Sequence, residues 1–254
     1  MLALLLFALF LPAPVDPEFD PALGLVAHYS FDYCDGRSEL PNGTDARVYG
    51  AAGCQCGVVG QAMVFDGQRS YLEFGGPLND YFTTSDFTLS FYLHPDGHRA
   101  LPQALFTKDA SCTRENMLAL RYTSGTREMS SALHETPHKN YRHLEYTLLK
   151  SGWLHYTLVR EGPEARTYLN GELQRRTRRC SGVDLSNAVD LTFAKPQCRA
   201  VPFKGLLDEF RLYDRALSDG EVRLLYQRHP VETAGADCIT QLKFSDTENL
   251  ANVD

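Results

Sequence analysis

The chain has 254 residues, of which 43% are hydrophobic and 22% are charged, a composition typical of globular proteins. Its length suits one large all-β domain or two smaller domains, and either would bury a full hydrophobic core. The net charge of −7 argues against a general nucleic-acid binder, because such proteins are normally basic overall.

The first element in chain order is an apolar N-terminal segment. The run from Leu2 to Leu11 is too short to span a bilayer but fits the hydrophobic region of a secretory signal. We therefore predict a signal peptide over residues 1–16, with a buried apolar segment as the alternative. No later stretch of the sequence is long and apolar enough for a membrane span, so the protein is expected to be secreted or held at the cell surface.

Seven cysteines agree with export, because disulfides are the default state of cysteine in oxidising compartments. None is arranged as a C-x-x-C pair, which argues against a zinc ribbon. We expect Cys180 to bond with Cys198, since the two bracket one short region, and Cys34 to bond with Cys54 or Cys56. The connectivity cannot be deduced from sequence, and the odd count leaves at least one thiol free or bonded to another chain.

The residues after the signal follow a β-type pattern. In the segment 87–95 apolar and polar residues alternate, which predicts a strand with one buried face. Asn170 and Gly171 predict a type I′ hairpin turn, because both central residues of that turn need a positive φ. Many short strands separated by Gly, Asn and Asp turns predict a β-sandwich or jelly roll.

One helix is predicted near the C-terminus, after the last strand. Ser218 and Glu221 have the spacing of a capping box, and apolar residues including Val222 and Leu225 follow. Beyond Pro230 the composition becomes polar, so residues 230–254 are expected to form a tail or a truncated linker.

Several segments, taken in order, carry a family resemblance. Together they resemble the LamG-like jelly-roll domain of the laminin G and concanavalin A-like lectin/glucanase superfamily, and we place this domain at residues 24–229. The resemblance implies an all-β fold: two antiparallel sheets stacked as a concanavalin A-like sandwich, with the first and last strands adjacent. The stretch 108–146 departs from the family by its length and its many His and Arg residues. The segments are LVAHYSFD, VVGQAMVFDGQRSYLEF, FTLSFYLHP, WLHYTLVREG with YLNGEL, and FKGLLDEFRLYDRALSDGEVRLLY.

The resemblance also implies a structural calcium site. The segment LLDEFRLYD is similar to a closing strand that supplies a calcium ligand in related glucanases, so Asp208 is one expected ligand. Asp32, at the end of the neighbouring first strand, is the other. Calcium takes about six to eight oxygen ligands, and backbone carbonyls would complete the set. The alternative is that Asp208 only pairs with a turn amide or an arginine.

Catalysis is not expected, although the superfamily includes retaining glucanases. Those enzymes need two carboxylates about 5 Å apart. The only E-x-D sequence, at residues 18–20, lies beside the signal and lacks a third acid. Asp208 and Glu209 are adjacent, so on a regular strand they should point to opposite faces. We therefore predict that the protein has no catalytic residues and is not an enzyme.

A ligand-binding surface is expected on the concave face of the sandwich. Tyr92 and His94 lie on the polar side of their strand, and we expect Tyr122 and Tyr168 to join them in binding a sugar. The alternative is that these are ordinary tyrosines of sheet edges, where half-exposed Tyr is common. The arginines of QRRTRRC suit anionic polysaccharide, but a solvated loop is the simpler interpretation.

These observations together predict a secreted or cell-surface, non-catalytic recognition module that binds carbohydrate and carries a structural calcium ion. Its partner would be an extracellular glycan or a surface protein, with no nucleic acid and no membrane span. The first alternative is a protein–protein or adhesion module without a glycan ligand. The second is a glycoside hydrolase that lacks the usual acid motif.

Overall fold

The computed structural model of the chain describes residues 19–50, 53–97, 99–147, 152–236 and 238. The signal predicted at residues 1–16 lies outside the described residues. The described part contains sixteen strands, one complete α-helix, α1 at Asp219–Gln227, and 3-10 helices at Pro77–Tyr81 and Val231–Thr233. The strands are β1 Leu25–Tyr29, β2 Arg47–Tyr49, β3 Gly53–Cys56, β4 Gln61–Asp66, β5 Tyr71–Phe74, β6 Phe87–Pro95, β7 Gln103–Lys108, β8 Met117–Thr123, β9 Glu128–His134, β10 Tyr146–Thr147, β11 Leu154–Glu161, β12 Glu164–Leu169, β13 Glu172–Arg178, β14 Leu191–Phe193, β15 Val201–Pro202 and β16 Lys204–Tyr213.

The strands form two sheets, which we call sheet A and sheet B. Sheet A has the order β13-β12-β11-β6-β16-β4-β3, and β1 also pairs with β16. Sheet B has the order β10-β9-β8-β7-β14-β5-β2, and the short β15 runs parallel to β7. The other pairs are antiparallel, and the first and last strands are neighbours. The predicted two-sheet jelly roll with a short C-terminal helix is therefore confirmed.

The hydrophobic core lies between the inner faces of the two sheets. Phe210 of β16 sits at its centre, with its ring 4.4 Å from Phe106 of β7 and 5.0 Å from Phe74 of β5. Phe91 of β6 meets Phe106 at 4.9 Å. Offset and edge-on aromatic pairs of this kind stabilise a core beyond the area that they bury.

The strand predicted at 87–95 is observed as β6, but both of its faces are buried. The face that alternation marked as polar lies under α1, so it is not open to solvent. The helix buries Val222 and Leu225 against Val159, Tyr168 and Tyr213 of sheet A. These residues form a second, smaller apolar cluster on the outer side of sheet A. Because the helix packs on this cluster, β6 is buried on both faces and not on one.

Two local signals form the structures that they predicted. Asn170 and Gly171 have φ values of 51° and 75° and join β12 to β13, as a type I′ turn requires. At the start of α1, Ser218 Oγ accepts a hydrogen bond from the backbone N–H of Glu221. The Glu221 side chain accepts one in return from the backbone N–H of Ser218, which completes the capping box.

The expected bond between Cys180 and Cys198 is wrong. Cys198 is bonded to Cys112 instead, and Cys180 is an exposed free thiol. Nearness in sequence was misleading because the fold brings together the loops that follow β7 and β14, whose cysteines are 86 residues apart. The disulfides of the described residues are Cys34–Cys54, Cys56–Cys238 and Cys112–Cys198.

The first part of the predicted tail is attached to the domain. The Cys56–Cys238 bond holds it against β3, and the backbone N–H of Gly235 donates to the carbonyl of Gly57 at 2.7 Å. Residues 239–254 lie outside the described part of the chain. None of the helices in the described residues has the length and apolar character needed to cross a membrane.

The capping box gives a test of the helix that covers sheet A. Replacing Ser218→Ala leaves a backbone N–H of the first turn without its acceptor, which should lower the free energy of unfolding by about 1 kcal/mol. Urea denaturation measures the change. Ser181→Ala, at an exposed serine without such a bond, is the control and should change stability by less than about 0.5 kcal/mol. Equal effects of the two substitutions would contradict the cap.

Candidate functional site

The tyrosines predicted to bind a ligand are not accessible to one. Tyr92 and Tyr168 are each 1% exposed beneath the α1 region, where their hydroxyls donate to the carbonyl of His229 and to Asp219 Oδ1, both at 2.7 Å. Tyr122 is 6% exposed and belongs to the core cluster. The prediction is wrong for these three residues because the helix covers the polar side of sheet A and because Tyr122 faces inward.

His94, the fourth predicted ligand-binding residue, is half-buried near the end of β6. Its ring lies edge-on to Trp153, with 5.5 Å between the centroids. It belongs to sheet A and is therefore separated from the open surface described next. The four predicted residues do not come together as one site.

The outer face of sheet B carries an open groove of about 990 Å³. Its floor is built on β8 and β9, where Leu118, Leu120 and Leu133 point into the core and the alternate residues point outward. Arg121 of β8 lies opposite Ser130 of β9 in the ladder. Small residues on the floor leave space above the sheet. The floor residues are Met117, Arg121, Ser130, Ala132 and His134.

The rim of the groove comes from three loops. Arg114 lies between β7 and β8, Arg142 between β9 and β10, and Arg199 after β14. The Cys112–Cys198 bond joins the first loop to the third. The buried carboxylate of Asp109 shapes the first loop, since it accepts the backbone N–H groups of residues 111 and 112.

Most of this site comes from the stretch 108–146, whose richness in His and Arg was the only signal of it in the sequence. Two of its cationic or titratable side chains lie on the floor. Burial lowers the pKa of Arg121, and the nearby Asp109 carboxylate partly opposes this shift. Burial also lowers the pKa of His134, and the positive charges of Arg114 and Arg121 lower it further.

The arginines of QRRTRRC do not line the groove, and three of them hold the structure together. Arg176 forms an ion pair with Asp219 at 3.0 Å. Arg175 and Arg179 donate to the backbone carbonyls of Glu145 and Asn140. Their guanidinium groups are therefore engaged within the protein.

The two predicted calcium ligands both contact the turn at residues 57–60, between β3 and β4. Asp208 Oδ2 accepts from the backbone N–H groups of Val58 and Val59, at 2.7 and 3.0 Å. Asp32 Oδ1 accepts from the backbone N–H of Gln61 at 2.8 Å. For Asp208, the alternative of turn-amide pairing is thus satisfied by one oxygen of the carboxylate.

The second oxygen of Asp208 fits a cation. Oδ1 is buried and has no hydrogen-bond partner among the described residues. Burial, then the charges of Glu209 and Asp32, raise the pKa of the Asp208 carboxyl well above its usual value. A bound cation would offset this cost, because it favours the ionised form.

Asp208 and Glu209 do not point to opposite faces, so that expectation is wrong. The ladder of β16 shifts register between Asp208 and Arg211, and Glu209 has a positive φ of 52°. Such a bulge places an extra residue in the strand. The buried Glu209 carboxylate contacts His28 at 2.9 Å and Arg211 on the outer face of sheet A, the face that Asp208 shares with Tyr92.

A second group of potential metal ligands does not form a metal site. Among the described residues, Asp109, Cys112 and Cys198 place ligand atoms within 4.8 Å of one another. Both cysteines are in one disulfide, so neither can supply a thiolate.

A family model described as the concanavalin A-like lectin/glucanases superfamily matches residues 66–223. No curated protein sequence matches the chain significantly.

Several solved structures share the fold at low sequence identity. Domain 4 of an extracellular GH43 arabinanase from Geobacillus stearothermophilus, solved with arabinotriose, aligns with a TM-score of 0.63 and 19% identity over 80% of this chain and 98% of that one. The binding domain of Paraclostridial Mosquitocidal Protein 1 aligns with a TM-score of 0.66 and 17% identity, over 80% of this chain and 52% of that one. The binding domain of Botulinum neurotoxin DC, solved with rat synaptotagmin II, aligns with a TM-score of 0.62 and 11% identity. This alignment covers 81% of this chain and 52% of that one. The chain thus spans about half the length of the two toxin chains.

The buried face of sheet A gives a prediction about pH. His155 is 1% exposed, and its Nε2 shares a hydrogen bond of 2.7 Å with Ser90 Oγ. Burial, then the charge of Arg211, lowers its pKa from 6.5 to about 3. The unfolded chain therefore takes up this proton first, so the folded state loses stability as the pH falls from 6.5 toward 3.

Between about pH 7 and pH 5, this histidine should remove about 2 kcal/mol from the free energy of unfolding. His155→Gln should reduce the loss by that amount, as measured by urea denaturation at both pH values. His138→Gln, at an exposed position, should keep the full loss. An unchanged loss in the His155 variant would show that this histidine does not contribute to the pH dependence.

Proposed function

Because the chain belongs to the concanavalin A-like lectin/glucanase superfamily, we propose that it is a secreted or cell-surface recognition module that binds carbohydrate without catalysis. The ligand occupies the groove on sheet B. Three disulfides within the described residues support an oxidising, extracellular location.

The groove itself is the observation that carries the proposal. Its volume of about 990 Å³ lies at the upper end of the range for ligand pockets, about 300–1,000 Å³. Polar side chains on a rigid sheet, such as Arg121, Ser130 and His134, can hydrogen-bond sugar hydroxyls. The likeness to an arabinanase domain solved with arabinotriose gives further support.

The acids of the groove support a role without catalysis. Asp109 and Glu145 are the acidic residues among those that line it. The Asp109 carboxylate is buried and shapes a turn, as its bonds to two backbone N–H groups indicate. It is therefore poorly placed to act as one of the paired carboxylates of a glycoside hydrolase.

An adhesion module that binds protein is the second candidate. Leu101, at the edge of the groove, is 56% exposed, and an exposed apolar residue beside a groove is typical of a protein contact. The two toxin binding domains with this fold, one solved with synaptotagmin II, favour the same candidate.

A glycan array with neutral and acidic sugars tests the proposal. The wild-type protein should bind at least one glycan class, and Ala132→Trp should abolish binding by filling the floor of the groove. Gln227→Trp, on the exposed side of α1, should bind as wild type. Absence of binding to every glycan, with and without a chelator, would leave the adhesion candidate. Release of reducing sugar ends would instead indicate a hydrolase.

We also propose that Asp32 and Asp208 hold a structural calcium ion, with backbone carbonyls completing its ligands. The buried Oδ1 of Asp208, which has no hydrogen-bond partner in the described part of the chain, supports the assignment. Calcium supplies positive charge where two carboxylates approach the same turn. It would stabilise the contact between β16, the end of β1 and the β3–β4 hairpin, and it would take no part in chemistry.

Calcium binding can be tested by thermal unfolding with added calcium and with chelator. A ligand that binds only the folded state raises stability by RT ln(1 + [L]/Kd), about 2.7 kcal/mol at a hundred times Kd. Wild type and the control Asp35→Asn, at a partly exposed carboxylate, should show a rise in Tm, while Asp208→Asn should show none. An equal Tm for wild type in both conditions would exclude the site.

A further inference from the structure

The groove on sheet B concentrates positive charge in a chain whose net charge is −7. Arg121 lies on the floor, and Arg114, Arg142 and Arg199 lie at the rim. Two histidines, one buried tyrosine and two acids complete the titratable lining among the described residues. A cleft of one charge sign with low-dielectric walls focuses the electrostatic field and attracts ligands of the opposite sign.

These four arginines differ from many others in the protein because none is in an ion pair with a described residue. Elsewhere, Arg166 contacts Glu161 at 2.8 Å, and Arg47 contacts Glu73 and Asp190. Arginines that support this fold thus bond to carboxylates or to backbone carbonyls of the protein itself. The guanidinium groups of the groove make no side-chain hydrogen bond to any residue that the structure describes, so their donors can reach a ligand.

Partial burial of the Arg121 charge on the floor costs free energy, and a bound anion would offset this cost. Arg121 is half-buried, and loss of hydration lowers its pKa without bringing it near neutrality, because guanidinium is in effect always charged. The Nδ1 atom of His134, also on the floor, is buried and makes no hydrogen bond of normal geometry to a described residue. An anionic group above the floor would accept a hydrogen bond from Arg121 and favour a protonated His134.

We propose that the groove binds an acidic polysaccharide, whose sulfate or carboxylate groups are held by Arg121 on the floor and by Arg114, Arg142 and Arg199 at the rim. The inference rests on the proposed function of the groove and adds the chemical class of the sugar. Guanidinium forks match the planar oxygens of carboxylates and the paired oxygens of sulfates, so they give both attraction and orientation.

Nucleic acid fits the same charge less well. Proteins that bind single strands combine basic grooves with exposed aromatic rings on which bases stack. Tyr141 lines the groove, but it is almost fully buried and its hydroxyl donates to the carbonyl of Gly162. The overall acidity of the chain also disfavours a long polyanion that extends beyond the groove.

The experiment is titration calorimetry of the full chain with four probes of similar length. A heparin hexasaccharide carries sulfate, a galacturonate hexamer carries carboxylate alone, maltohexaose is neutral, and a short single-stranded DNA is a non-sugar polyanion. At least one acidic sugar should bind more tightly than maltohexaose by about tenfold or more, and added salt should weaken its binding.

Two double variants with the same change in charge locate the site. Arg114→Ser with Arg142→Ser should weaken acidic-sugar binding by about tenfold, since two charge-assisted contacts are lost. Arg178→Ser with Arg223→Ser, on exposed parts of sheet A and α1, should bind as wild type. Arg121→Lys keeps the charge but loses the guanidinium fork, so it should lower the affinity for the acidic sugar several-fold.

The outcomes separate this inference from the proposed function. Binding of neutral sugars with equal or higher affinity, still abolished by Ala132→Trp, would overturn acid selectivity and leave carbohydrate binding intact. Equal losses in the two double variants would show non-specific attraction and overturn the inference. Equal affinity for the single-stranded DNA and for the acidic sugar would also overturn the inference. Failure to bind any of the sugars, on the array or in solution, would remove both proposals.

Discussion

The packing of Phe210 between the two sheets is the contact on which the arrangement of the molecule depends. Its ring meets Phe74 and Phe106 of sheet B and stacks 5.8 Å from Tyr29 of sheet A. β16 carries this ring and pairs with β1, β4 and β6, so it joins the ends of the domain to its centre. The bulge in β16 keeps Phe210 inside and directs both Asp208 and Glu209 outward.

The outer face of sheet A is covered by other parts of the chain, whereas the outer face of sheet B is open in the middle. On sheet A, α1 and the segment bonded through Cys238 cover polar side chains that must then find partners inside the protein. His155 with Ser90 and Glu209 with His28 are such pairs. On sheet B, loops rise at the edges and leave the middle open. A ligand therefore has access to sheet B, where the groove lies.

The arginines of the two sheets differ in a similar way, since several on sheet A have carboxylate partners and those of the groove have none among the described residues. Arg166 and Arg176 share Asp219 at the N-terminus of α1, so these cations fasten the helix to sheet A. The arginines of the groove have no such partner among the described residues, although each costs free energy to hold beside the others. A protein can bear that cost when a ligand of opposite charge compensates it, which links the architecture of sheet B to the acidic sugar proposed for it.

The sequence alone determined the fold class, β6, the turn at Asn170 and the cap of α1, because each depends on residues that are close together along the chain. It also marked the stretch 108–146 as unusual, without indicating that its side chains form one groove. Only the tertiary structure decided which sheet face the helix covers, where β16 bulges and how the cysteines pair. The bonded cysteines lie up to 182 residues apart. Such contacts depend on the packing of whole sheets, and alternation in a single strand cannot tell a face covered by a helix from one open to a ligand.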